Sequence, residues 1–99
     1  MSTRTLVSIR RRLADADIER YEAAWELVRD LVRERKAHAW RFRLSDGSRT
    51  FLEFIEFGSN VDPRADTPVA DAVARLDAIA PGTVEEWTDA DETNPDEVT

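Results

Sequence analysis

The sequence contains no cysteine. That single absence removes disulfide bonds, thiolate nucleophiles, cysteine-ligated zinc and iron–sulfur clusters, and it leaves the redox compartment open. Histidine is almost absent too, with His38 the one instance in 99 residues, so no metal site is expected. Glycine occurs three times and never in the spacing of a phosphate-binding loop. Nucleophile elbows, paired catalytic carboxylates and zinc spacings are likewise missing. No stretch approaches the roughly 20 consecutive apolar residues that cross a bilayer, and the first residues run into strand-like sequence instead of the apolar core of a signal peptide. The expectation is a cytoplasmic protein without membrane attachment or cofactor.

Hydrophobic residues make up 41% of the chain and charged residues 35%, enough apolar surface for one two-layer core under a heavily solvated exterior. Most of the formal charge of −7 comes from Asp89, Asp91, Glu92, Asp96 and Glu97, and no basic residue follows Arg75. Residues 1–88 therefore read as one nearly neutral folded domain and residues 89–99 as an acidic, flexible tail. A near-neutral body with an acidic tail offers no electrostatic case for nucleic acid or an anionic membrane.

Residues 5–13 alternate Val7, Ile9 and Leu13 against Ser8, Arg10 and Arg12, which predicts a strand. Ile18, Tyr21, Trp25, Val28 and Val32 then recur at steps of three and four, the period of an amphipathic helix, with Asp15 or Asp17 to cap its start. After Ala37 the period returns to two. Trp40, Phe42 and Leu44 share one face of a second strand, Asp46-Gly47 supplies a tight reversal, and residues 51–57 return as its partner. Thr67 and Pro68 open a second helix that buries Val69, Val73, Leu76 and Ile79; Pro81-Gly82 stops it before a last strand at residues 83–88. The order is β-α-β-β-α-β: an α+β, ferredoxin-like domain with a four-stranded antiparallel sheet and two helices on one face. The third strand is apolar on both faces, with Phe51, Ile55 and Phe57 on one and Leu52 and Phe54 on the other. Two helices cover only one face of such a sheet, so a second copy of the chain is the simplest cover for the other, and a homodimer is expected.

The strand at residues 6–13, the long helix ending at Lys36-Ala37, the Trp40-Arg41-Phe42-Arg43 strand and the aromatic strand at residues 51–57 resemble the dimeric α+β barrel superfamily, and within it the antibiotic-biosynthesis-monooxygenase-like branch. The resemblance runs over residues 4–88 and implies two sheets paired across a two-fold axis. It also implies a field of activities that includes cofactor-independent oxygenases, haem-degrading enzymes and isomerases, hence a possible small aromatic ligand as partner. Monooxygenase-like members commonly place a histidine on the helix after the aromatic strand; no histidine follows Gly58 here.

The resemblance and the residues together single out a few candidates. His38, at the junction of helix and strand, has the proton affinity for general acid–base work near neutrality, although a histidine there more often satisfies the helix's terminal carbonyls. Tyr21 and Trp25 are one helical turn apart and would face the sheet bearing Trp40 and Arg41, either filling the core or lining a flat pocket. Glu53 interrupts an apolar face. With a two-residue turn at Asp46-Gly47 it pairs with Trp40 and becomes a buried carboxyl able to act as acid or base; with a three-residue turn it joins Arg41 and Arg43 in a cross-strand ion pair, the preferred reading. Arg10, Arg11, Arg12, Arg41 and Arg43 could line an anion site or simply form solvated strand faces.

The same element order occurs in RNA-recognition domains, but Thr50 and Glu53 stand where that class needs glycine and a stacking aromatic. Two classes remain: a small-molecule binder or oxygenase acting on an aromatic substrate, and a noncatalytic dimerisation module. Since the acidic tail lacks core-forming residues, truncation after Thr88 should leave the melting temperature nearly unchanged, as followed by circular dichroism.

Overall fold

The alternating segments form the sheet they predict. The computed structural model describes residues 4–58 and 61–90. Its elements are β1 (Arg4–Arg12), α1 (Ile18–Glu34), β2 (His38–Arg43), β3 (Thr50–Gly58), α2 (Thr67–Ile79) and β4 (Thr83–Thr88), with short 3-10 turns at Asp15–Asp17 and Pro63–Ala65 ahead of the two helices. The four strands make one antiparallel sheet in the order β2-β3-β1-β4. The expected acidic tail lies, from residue 91 onward, outside the described residues. No helix among those described is long and apolar enough to cross a membrane.

Both helices lie on one face. Tyr21, Trp25, Val28 and Val32 of α1 and Val69, Ala72 and Leu76 of α2 are buried against Val7, Ile9, Phe51, Ile55 and Phe57 of the sheet. Each fully buried aliphatic side chain contributes about 1.5–3 kcal/mol relative to leaving it in water. α2 begins at Thr67, one residue earlier than Thr67 as N-cap and Pro68 as first helical residue would give: its N-cap is Asp66, and no side-chain capping bond forms there.

α1 ends in a Schellman turn, with the Ala37 amide donating to the Val32 carbonyl at 3.3 Å and the Lys36 amide donating to Arg33 at 3.0 Å. Arg35 Nη1 donates to the Leu31 carbonyl at 2.8 Å. The helix's last carbonyls are thus satisfied by backbone and arginine, not by His38 as the sequence suggested. The turn also sets the phase of β2: Ala37 and Ala39 point to the helices, whereas His38, Trp40 and Phe42 point away. Trp40 was expected beside Tyr21 and Trp25, and the structure puts it on the opposite face. The small Ala39 is what lets α1 approach the sheet.

The β2–β3 register pairs Arg41 with Glu53 and Trp40 with Phe54, which is the register of the longer-turn alternative. The loop is wider than either alternative supposed, because Leu44 donates to Thr50 at 2.9 Å and residues 45–49 form the reversal. Within it Gly47 takes a φ of +85° and the Asp46 carboxylate accepts from the Ser48 amide at 2.8 Å.

On the uncovered face Trp40 stacks on Phe54 with ring centroids 5.3 Å apart, and Phe42 meets Phe54 edge-on at 5.9 Å. Leu6, Leu52 and Trp87 extend this strip across the sheet. Trp87 is held in place by its indole N–H, which donates to Ser8 Oγ at 2.8 Å.

Lys36 closes the Schellman turn at a φ of +61°, a left-handed conformation that costs a side-chain-bearing residue roughly 1 kcal/mol. Lys36→Gly should therefore raise stability by up to about 1 kcal/mol, read from the urea midpoint at unchanged m-value.

Candidate functional site

Strand parity brings charged residues into the helix–sheet layer. On β1, Arg11 follows Val7 and Ile9 inward; on β3, Glu53 lies between Phe51 and Ile55; on β2, Arg41 follows Ala39. Arg11 is 1% exposed and Glu53 0%, so the two must satisfy one another or pull the fold apart.

They do so together with both helices. Arg11 Nε donates to the two carboxylate oxygens of Glu53 at 3.0 Å each, and the Tyr21 hydroxyl of α1 donates to Glu53 Oε2 at 2.7 Å. Arg11 Nη1 donates to Asp77 Oδ1 and to the Ala80 carbonyl at the end of α2, both at 2.7 Å. Glu53 is an ion-paired residue, as preferred from the sequence, but its partner is Arg11 from β1, and the pair is buried. The guanidinium of Arg41, directly across the ladder, turns elsewhere. Its Cζ sits 5.2 Å from the ring centroids of Tyr21 and Phe51 and 5.5 Å from that of Trp25, and its Nη2 donates to Glu22 Oε2 at 2.9 Å.

Burial pushes the Glu53 carboxyl above the ordinary carboxylate range, opposed first by the Arg11 charge and then by the Tyr21 hydrogen bond. Burial and the Glu53 charge push the Tyr21 hydroxyl well above the ordinary phenol value, so it stays a donor.

The sequence candidates thus divide between the two faces. Glu53, Tyr21, Trp25 and Arg41 come together in the helix–sheet layer, whereas His38, opposite Glu56, and Trp40 lie on the other side. His38 and Glu53 cannot serve one reacting centre, since the backbone of the sheet separates them. Tyr21 and Trp25 are core residues, and the Tyr21 and Phe51 rings touch with centroids 4.8 Å apart. A cavity of about 250 Å³ lies at the edge of this cluster, lined by Ile18, Glu22, Arg41, Phe42, Arg43 and Phe51. A wider hollow of about 610 Å³ lies at the other end of the sheet by Thr5, Phe57 and Pro63, away from Tyr21 and Trp25. Glu22 was not among the sequence candidates, and Arg11 entered only as one of the arginines that could line an anion site or form a solvated strand face. Strand parity with Val7 and Ile9 was the available signal for Arg11; Glu22, beside the helical stripe, had none. Among the described residues no group of three His, Asp or Glu side chains could hold a metal ion.

The sequence matches no protein-family model and no curated protein sequence. Solved structures do match. A conserved protein of unknown function from Bacteroides thetaiotaomicron superposes with a TM-score of 0.79 at 12% identity, covering 90% of this chain and 100% of that one. A candidate antibiotic biosynthesis monooxygenase from Nitrosomonas europaea gives 0.75 at 7% identity over 95% and 97% of the two chains. SnoaB, a cofactor-independent oxygenase from Streptomyces nogalater, gives 0.73 at 13% identity over 93% and 97%. At the level of fold, the chain is a ferredoxin-like α+β domain, and its structural neighbours include antibiotic-biosynthesis-monooxygenase-like proteins.

Because removing one partner of a buried pair strands the other, Arg11→Met should cost about 3–5 kcal/mol in urea unfolding. Glu53→Gln should cost much less, since Arg11 keeps Asp77 and Tyr21 keeps an acceptor. The pH dependence has a definite sign. A carboxyl raised in the folded state holds its proton more tightly there than in the unfolded chain, so its contribution to stability is full in acid and is lost as pH rises through the raised value. The stability of the parent minus that of Glu53→Gln should fall as pH climbs from the ordinary carboxylate range toward neutrality.

Proposed function

We propose that this chain is a self-associating module, a homodimer closed across the open face of its sheet, whose helix–sheet layer serves stability instead of catalysis. The observation that carries this reading is the unequal treatment of the two faces. Inside, the carboxyl that could act as acid or base is already held by Arg11 and Tyr21, and the rings of Tyr21 and Trp25 are buried. Outside, Trp40 is 36%, Trp87 50% and Phe42 61% exposed, in one strip with Phe54 and Leu52. A continuous aromatic strip of this kind is unfavourable in water and finds its complement in a copy of itself, because an isologous pairing sets each strip against an identical one. On this reading the protein is cytoplasmic and needs no cofactor.

A second reading, a cofactor-independent oxygenase on an aromatic substrate, is favoured by the cavity beside Arg41 and by the fold shared with SnoaB. In that role Glu53 is the proton acceptor, Ile18, Arg41 and Phe51 form the substrate walls with the Tyr21 and Trp25 rings packed behind Arg41, and His38 takes no part in the same centre. Oxidation of a polyphenol by oxygen without added metal or flavin, lost in Glu53→Gln and kept in His38→Ala, would establish it; no turnover across a polyphenol panel would exclude it.

For the dimer, sedimentation of the protein at micromolar concentration should give twice the subunit mass. Phe54→Glu, which puts a charge in the middle of the strip, should give a folded monomer. A parent that sediments as a monomer overturns the proposal.

A further inference from the structure

The arginines singled out in the sequence end in different conditions. Arg11 and Arg41 are spent on Glu53, Asp77 and Glu22. Arg43, the next residue after Ala39 and Arg41 on the helix side of β2, has no hydrogen bond or ion pair among the described residues. It stands at the mouth of the β2–β3 loop, beside a hollow of about 520 Å³ lined by Arg43, Leu44, Ser45, Gly47, Ser48 and Arg49. That volume is in the range of ligand pockets. Two guanidinium groups line the hollow and no carboxylate does. Arg49 gives its Nε to Asp15 at 2.9 Å, which leaves its two Nη groups without an acceptor, and the Ser45 hydroxyl has no partner among the described residues. Asp46, the acid of the loop, lies outside the lining, and its carboxylate accepts from the Ser48 amide at 2.8 Å.

The loop is also braced in an open shape. Asp46-Gly47 is able to reverse a chain in two residues, yet residues 45–49 all take part in the reversal. The Leu44 amide donates to the Thr50 carbonyl at 2.9 Å, the Leu13 amide to the Arg49 carbonyl at 2.8 Å, and Ser48 Oγ to Thr50 Oγ1 at 3.0 Å. The backbone that carries the donors is thus fixed before any ligand arrives. In a chain of formal charge −7, a braced hollow whose only charged walls are arginines favours an anion.

We infer that this hollow is a binding site for a phosphoryl group, either a free phosphate or one carried on a small molecule. A carboxylate, with two oxygens and one charge, satisfies a single guanidinium fork. A phosphoryl group brings three acceptor oxygens and close to two charges, and so answers Arg43 and Arg49 together. The Ser45 hydroxyl supplies a neutral donor, and the half-exposed Leu44 gives the body of an ester an apolar rest.

The hollow shares no residue with the aromatic strip or with the Glu53 cluster, so its test is independent of both readings of the function. The experiment is calorimetric titration of the full chain at low ionic strength with inorganic phosphate, phenyl phosphate and acetate. Phosphate should bind saturably at one per subunit, and acetate at least about tenfold more weakly. Phenyl phosphate binding more tightly than inorganic phosphate identifies a carried phosphoryl group, and the reverse order a free ion; either order supports the site. Arg43→Gln and Arg49→Gln should each weaken phosphate by about tenfold or more, the worth of a hydrogen bond between charged groups. Arg75→Gln, which removes an exposed arginine of α2 outside the hollow, should leave the affinity within about twofold. Arg43 has no partner to lose, so Arg43→Gln decides the matter even if Arg49→Gln loosens the loop. No saturable heat, acetate binding as tightly as phosphate, an affinity that Arg43→Gln leaves unchanged, or an equal loss in Arg75→Gln overturns the site.

Discussion

A single ion pair is the point on which this small domain turns. Arg11 and Glu53 sit in the middle of the helix–sheet layer, where an unpaired charge would cost several kcal/mol, and every major element around them supplies a piece of the solution. β1 and β3 bring the two charges, α1 brings the Tyr21 hydroxyl, and α2 brings Asp77 and the Ala80 carbonyl. A Cβ placed on Gly82 would lie 2.5 Å from Ile9 Cγ2 and 3.1 Å from Arg11 Nη1, so the chain leaving α2 has to pass this spot without a side chain. The pair is a registration device as much as a source of stability. A one-residue slip of β3 would carry Glu53 to the opposite face of the sheet and leave Arg11 without its buried partner.

That device also bears on what the layer can do. A general base needs a free lone pair within reach of its substrate, and the Glu53 oxygens are taken by Arg11 and Tyr21. At the rim of the layer, Arg41 is clamped among the rings of Tyr21, Trp25 and Phe51 and held by Glu22. Sharing a fold with an oxygenase fixes the scaffold and leaves the site to be argued from its own residues.

The open face follows from the same strand parity. Each inward residue of β2 and β3 has an outward neighbour, and those neighbours are Trp40, Phe42, Leu52 and Phe54, with Trp87 and Leu6 continuing the strip. A domain of this size has little core to spare. That it leaves so much aromatic surface outside is the physical ground for expecting a second copy against it.

The sequence by itself determined the elements and their order, because period-two and period-3.6 patterns are local properties of the chain. It also determined the apolar character of both faces of β3 and the sheet-facing side of α1 that carries Tyr21 and Trp25, and it singled out Glu53 as a charge inside an apolar pattern. What it could not decide was which way each strand faced and who answered each charge. The phase of β2 depends on how α1 ends, and the Schellman turn at Lys36 sent His38 and Trp40 outward and Arg41 inward. The length of the loop at residues 45–49 set the β2–β3 register, which the Asp46-Gly47 signal left open between two values. Arg11 stood in an arginine set open to two readings, an anion lining or a solvated strand face, although its parity with Val7 and Ile9 already placed it inside; only the packing of β3 and α2 around it showed what holds it there. Partners for a buried charge come from segments distant in sequence, Arg11 to Glu53 and to Asp77, and no local pattern specifies them. Tertiary structure decides such pairings because the cost of leaving a charge unpaired exists only once the chain has closed around it.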